Sequence, residues 1–151
     1  MTPIAPKDVV DITFELSGPP EEVFPLLCPV REYEWIADWR CTMVHSVSGV
    51  AEHGCVFTRG EGETWITTRY EPPTRIDYTI FLPEISVGTL EFTLTPAGTG
   101  THVSLRSTRT AMTAAGVESM LSWTADDQRA LWDLRRRQLE HFFETGTALA
   151  S

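Results

Sequence analysis

Long hydrophobic runs are missing from this chain, and their absence excludes one class of protein at once. No stretch approaches the ~18 apolar residues that a membrane-spanning helix needs. The segment from Met1 to Asp11 has no apolar run of signal-peptide length and carries two acids, Asp8 and Asp11. A cytoplasmic protein is expected. Basic charge is also scarce, with 12 Lys plus Arg against 21 Asp plus Glu and a net charge of −9. Such a surface repels phosphate backbones, so neither nucleic acid nor stable anchoring on an anionic membrane is expected, and the acidic excess serves solubility. Cysteine is sparse: Cys28, Cys41 and Cys55 are odd in number and lack C-x-x-C spacing. They read as small buried hydrophobes in a reducing compartment, not as a disulfide framework. The common nucleophile and nucleotide motifs (G-x-S-x-G, the P-loop, G-x-G-x-x-G) are absent. His45, His53, His102 and His141 are scattered without metal-ligand spacing, so neither a metal nor any other cofactor is expected.

What is present is an ordinary globular composition, 42% hydrophobic and 22% charged over 151 residues, enough for one domain spanning 1–151. At this size roughly 68–70% of the unfolded surface can be buried. Val10, Ile12, Phe14 and Leu16 alternate with Asp11, Thr13 and Glu15, as in a half-buried strand. Ser17-Gly18-Pro19-Pro20 ends it, and Glu21 and Glu22 open a short helix where the helix dipole favours acids. After Cys28-Pro29, Val30 to Ile36 is expected to form a second short helix, with Pro29 at its first position. Turn signals then recur at strand spacing. The expected strands are Arg40–Ser48, Cys55–Arg59, Glu63–Tyr70, Arg75–Leu82, Val87–Thr95 and Thr101–Arg109. With the first they make about seven, paired antiparallel as a meander.

A single amphipathic helix is expected from about Val117 to Glu144. Val117, Leu121, Leu131, Leu139 and Phe142 fall on one face, with Met120 and Trp132 at its edges. Asp126, Arg129, Asp133, Arg137 and Glu140 fall on the other. Three polar residues, Thr124, Gln128 and Arg135, interrupt the apolar stripe. An unpaired buried polar group costs about 1–3 kcal/mol, so these three need partners or water.

Three segments carry a resemblance to a known family. Phe14-Glu15-Leu16 followed by Pro19 to Leu27 looks like its strand-to-helix opening. Tyr33 to Trp39 looks like its aromatic second helix and exit loop, and Gly49 to Phe57 resembles its first long hairpin. The chain resembles the START-related superfamily (SRPBCC), which includes birch-pollen-allergen-like proteins and polyketide cyclases, over roughly Val9 to Phe143. The resemblance implies an α+β helix-grip fold: about seven antiparallel strands wrapped around a long C-terminal helix, with two short helices after the first strand. It also implies a ligand cavity between the concave sheet and that helix. The superfamily hosts binders, transporters and enzymes, and no residue-level catalytic motif carries over.

Candidate site residues follow from the faces they share. His45 lies on a strand face with Cys41, Met43 and Val47, either as a proton shuttle in the cavity or as a buried histidine satisfied by a neighbour. Arg135 either anchors an anionic or polar ligand head beside Gln128 and Thr124, or reaches past the sheet edge on its flexible stem. Arg109, at the end of the last strand, has the same two options. Trp35 and Trp39 fall where the family's pocket entrance would be. Phe14, Tyr78, Leu90 and Phe92 on the strands and Leu131 on the helix complete the expected lining. Of Trp65 and Ile66 only one can point inward, and Trp123 suggests contact with a loop or with a second copy of the chain in a homodimer. Glu15, Glu63 and Glu91 read as solvated. The function these features support is binding of a small, largely apolar molecule such as a lipid, polyketide or aromatic compound. The alternatives are a cyclase or aromatase working in the same cavity through His45, and a module that docks a protein partner.

Overall fold

The alternation read in the first strand is what the computed structural model, which describes residues 6–150, realises in β1 (Lys7–Leu16). Val10, Ile12 and Leu16 are buried while Asp11, Thr13 and Glu15 face out. Six further strands follow: β2 (Thr42–His45), β3 (Val56–Arg59), β4 (Glu63–Glu71), β5 (Arg75–Leu82), β6 (Ser86–Ala97) and β7 (Gly100–Ala111). They form one antiparallel sheet in the order β1-β7-β6-β5-β4-β3-β2. Only the first strand departs from meander order, crossing to pair along its length with the last, from Lys7 opposite Thr110 to Leu16 opposite Thr101.

The connection after β1 is more irregular than periodicity suggests. A single helical turn, α1 (Pro20–Val23), runs into a 3-10 turn at Phe24–Leu27. The helix expected over Val30 to Ile36 is instead one 3-10 turn, Glu32–Glu34, and Pro29 is not a helix start. Two indoles hold this segment in its irregular path. Trp35 Nε1 donates to the Leu26 carbonyl at 2.7 Å, and Trp39 Nε1 donates to the Pro29 carbonyl at 2.8 Å. So short a segment gains too few helical bonds to outweigh such anchors.

The C-terminal helix is also two helices: α2 (Ala114–Ser122) and α3 (Ala125–Thr145). Thr124 separates them as an N-cap. Its hydroxyl accepts from Asp127 N at 3.3 Å, and the Asp127 carboxylate accepts from Thr124 N at 2.8 Å, a reciprocal capping box. The helical phase therefore does not run through the break. Leu121, expected on the core face, is 74% exposed. Thr124 is a cap, not part of an apolar stripe.

Helix α3 lies across the concave face of the sheet. Ser17 at the end of β1 donates from N and Oγ to the Glu140 carboxylate, at 2.7 and 2.8 Å. Arg129 donates to the Asp11 carbonyl at 2.7 Å. Around the C-terminal half of α3 the interior is solid, filled by Phe24, Leu26, Trp35, Ile76, Leu94, Leu105 and Leu139. Toward its N-terminal half the sheet and helices do not close.

Helix α2 packs on the β5–β6 turn so tightly that any Cβ at Gly116 would run into the Ile85 carbonyl oxygen. Gly116→Ala is expected to cost roughly 1–3 kcal/mol by overpacking, read as a lower urea midpoint. Thr124→Ala is expected to cost about 1 kcal/mol in the same measurement, with Thr124→Ser close to wild type. An unchanged midpoint in Thr124→Ala would mean that the break is held by packing alone.

Candidate functional site

The unclosed region is a cavity of about 310 Å³ between β4–β7 and the two terminal helices. Strand alternation supplies one wall: Trp65, Tyr78, Ile80, Leu90, Phe92, Ser107 and Arg109. Gln128, Leu131, Trp132 and Arg135 supply the other, spaced so that they share one face of α3. Trp35 and Trp39 contribute from the loop after β1, Phe57 and Arg59 from β3, Ser119 from α2 and Trp123 from the α2–α3 break.

The aromatic rings of the lining pack on one another. Trp65 packs on Phe57 at 5.4 Å and on Tyr78 at 5.5 Å, and Phe92 packs on Trp132 at 5.3 Å. The polar atoms of Trp65 and Tyr78 already have partners. Trp65 Nε1 donates to Glu63 at 2.9 Å, and Tyr78 Oη donates to the Leu27 carbonyl at 2.8 Å. Burial pushes the Tyr78 hydroxyl well above the ordinary phenol range, so it stays neutral.

The polarity of the cavity is concentrated in a few side chains. The Arg59 guanidinium stacks over the Trp39 ring at 4.1 Å and lies 5.9 Å from the Trp65 ring. Arg135 is half-buried and donates to Gln138 Oε1 at 2.9 Å. Desolvation pulls its guanidinium below the usual range, Glu32 opposes that shift, and the like charge of Arg59 adds to it. Glu32 lines the same cavity, and among the described residues neither a hydrogen bond nor a salt bridge reaches its carboxyl. Desolvation raises that carboxyl well above the carboxylate range, while the charges of Arg59 and Arg135 work against the rise. Two donors of this lining, Arg59 Nε and Gln128 Nε2, are buried without a partner among the described residues.

Of the residues singled out in the sequence, the structure brings together Trp35, Trp39, Tyr78, Leu90, Phe92, Gln128, Leu131 and Arg135. Arg109 also lines the cavity, but its guanidinium is engaged. It donates to Asp8 at 2.5 Å and to the Trp123 carbonyl at 2.7 Å, so it holds structure together and does not wait for a ligand. Other expectations need correction. His45 is exposed, because a bulge between Met43 and His45 shifts it off the inward face. Val47, expected beside it, is 86% exposed. Thr124 is occupied as a cap. Phe14 sits behind Trp132, their ring centroids 6.5 Å apart, and lines a separate shallow depression with Arg129 and Arg136. Glu63, read as solvated, shares the inward face with Trp65, whereas Ile66 is 39% exposed on the other face. Trp123 lines the far end of the cavity while remaining 42% exposed.

Sequence reasoning missed Glu32 and Arg59. The phase of Arg59 was available, since it alternates with Phe57 at the end of β3. Glu32 sits in a segment with no periodicity to read.

The fold is similar to that of several solved structures. The chain is similar in structure to CalU16 from Micromonospora echinospora, with a TM-score of 0.63 at 15% identity over 95% of this chain and 88% of that one. It is similar to Ara h 8.0201, with a TM-score of 0.65 at 15% identity over 93% and 99%. DynU16, from the dynemicin biosynthetic locus, aligns with a TM-score of 0.63 at 19% identity over 94% of this chain. The chain spans about half, 49%, of the length of DynU16. At such identities these likenesses establish the helix-grip fold alone. A comparison with curated protein sequences finds no match. The family model described as polyketide cyclase / dehydrase and lipid transport matches residues 8–140, and the chain belongs to that family.

Proposed function

We propose that this protein binds one small, largely apolar molecule, such as a lipid, polyketide or aromatic compound, in the cavity between the sheet and α3. The observation that carries this reading is an aromatic-walled cavity of about 310 Å³ lined by Gln128, which is 4% exposed and whose side-chain amide has no partner. Ligand sites are mostly apolar pockets of about 300 Å³ or more, with a few placed polar groups. Leaving a buried donor unpaired costs about 1–3 kcal/mol, which a ligand acceptor would recover. The ligand's body would pack on Trp65, Tyr78, Leu90 and Phe92, and its polar end would meet Arg59, Arg135 or Gln128. The three cysteines are free, which fits the cytoplasmic location proposed for the protein.

A second reading, a cyclase or aromatase, is favoured by one observation. A carboxyl, Glu32, reaches the cavity with its ionisation pushed by desolvation well above the ordinary carboxylate range, in the role expected of His45. General acid–base work by such a group contributes about 10²–10⁴ in rate, so Glu32→Gln would remove that factor from any turnover.

Native mass spectrometry of protein purified from its own host is expected to show an added mass that denaturation releases. Methyl 2-naphthoate, a neutral two-ring probe, is expected to bind one per chain by isothermal titration calorimetry. Leu131→Trp, which fills the cavity, is expected to weaken it at least about tenfold with the thermal midpoint kept. No adduct together with no probe binding would overturn the binding reading.

A further inference from the structure

Two cations of the cavity stand without a salt bridge among the described residues, and that points to what the ligand carries. Arg59 on β3 and Arg135 on α3 both line it, near the unpaired carboxyl of Glu32 in the Glu32–Glu34 turn. Glu63 of β4 accepts from the neutral Trp65 indole and so still counts as a negative charge, whereas Tyr78 of β5 is held neutral by burial and Arg109 of β7 is matched by Asp8. Asp38, in the loop after the Glu32–Glu34 turn, is exposed and acts on Arg135 only through its charge. Glu32 is close enough for its charge to be felt by both guanidinium groups, yet it forms a salt bridge with neither among the described residues. It is a counter-ion standing off from its cations.

We propose that the cavity takes an apolar-bodied monoanion, a small aromatic or alicyclic carboxylate, whose head binds Arg59 and Arg135 while Glu32 takes up a proton. This rests on the cavity-binding reading above and specifies the chemical class of the ligand. The two guanidinium groups fit an anionic head because each presents donors to carboxylate oxygens. Arg59 Nε is a buried donor already without a partner, so a carboxylate adds a bond there without displacing one. An alternative, a cationic ligand caged by the tryptophans, is disfavoured because Arg59 already occupies the Trp39 face. Gln128 lies seven residues before Arg135 on α3, about 10 Å along the axis, so a second oxygen on the ligand body would meet its amide.

Proton uptake follows from charge. With Glu32 and Glu63 both counted as carboxylates, they and the two guanidinium groups sum to zero; with Glu32 neutral the sum is one positive charge, which a monoanion cancels. An entering anion therefore favours the protonated carboxyl, and its affinity depends on pH. The carboxyl stands above its ordinary range before the ligand arrives, and a second negative charge raises it further. Affinity for the anion is thus highest at low pH and falls as pH rises through the Glu32 ionisation, until that group is charged in the complex as well.

The test compares 2-naphthoate with its methyl ester, which share shape and differ in charge. The carboxyl of the free acid, at about pKa 4, is ionised throughout the range from about pH 6 to about pH 9. At the acid end the carboxylate is expected to bind about 10- to 100-fold tighter than the ester, and the preference narrows as pH rises. Titration heats in phosphate and Tris buffers should differ, as proton uptake requires. Arg135→Met is expected to lose the preference for the acid while keeping the ester. Glu32→Gln is expected to bind the acid at least about tenfold tighter at the alkaline end, with a flat pH profile and no buffer dependence. Near-ultraviolet circular dichroism of both variants reports whether the aromatic walls are intact. Equal affinity for acid and ester, or a Glu32→Gln profile identical to wild type, overturns the anion proposal and leaves the cavity reading standing. Binding of neither probe overturns both.

Discussion

The Arg109 guanidinium joins three parts of the chain that would otherwise have no reason to meet at one end of the cavity. It sits on the last strand, pairs with Asp8 on the first, and donates to the carbonyls of Met120 and Trp123 where α2 ends. A cation at a helix C-terminus meets the negative end of the helix dipole, and Asp8 supplies the remaining counter-charge. That contact fixes where α2 stops, the capping box at Thr124 fixes where α3 starts, and the offset between them leaves space over β5–β7. Arg109 therefore defines the cavity from its wall rather than from its contents.

The rest of the cavity follows from how its aromatic side chains are satisfied. Trp35, Trp39, Trp65 and Tyr78 each give their one polar atom to a carbonyl or carboxylate of the protein. The rings are then held at fixed angles with only carbon surface toward the space they enclose. A wall of this kind attracts apolar molecules of many shapes, and the selection proposed here falls to the few polar groups left over. Gln128 and Arg59 keep unpaired donors, and Glu32 keeps an unpaired carboxyl. Such groups lower the stability of the empty protein, and a site that binds a polar head accepts that cost.

The strands were legible because their alternation is local. β5 was bounded to the residue, β1 extended only at its N-terminal end, and the meander order followed from short turns. The helices were less legible where one side-chain bond competed with periodicity. Thr124 and Asp127 formed a visible start signal inside a pattern that otherwise ran on without pause. Eight of the twelve candidate ligand residues line the cavity with the orientation expected, and Arg109 lines it with its charge already committed. The three that fell outside, Phe14, His45 and Thr124, each sit beside a break in regular geometry or behind another ring.

Period-two and period-3.6 patterning was sufficient for the succession of strands along the chain and for the polar residues on the inner face of the last helix, since these depend on which face a residue occupies relative to its neighbours in sequence. The helix-grip class came from the family resemblance, and the pairing of β1 with β7 came from the structure. The bulge at Met43 and His45, the irregular turn carrying Glu32, and the placing of Arg59 and Arg135 on one cavity were decided only when distant segments packed. Each depends on a register shift or a long-range contact that leaves no period in the sequence. Charge balance inside a cavity belongs to the same class: it is a sum over side chains drawn from strand, turn and helix, and packing alone selects them.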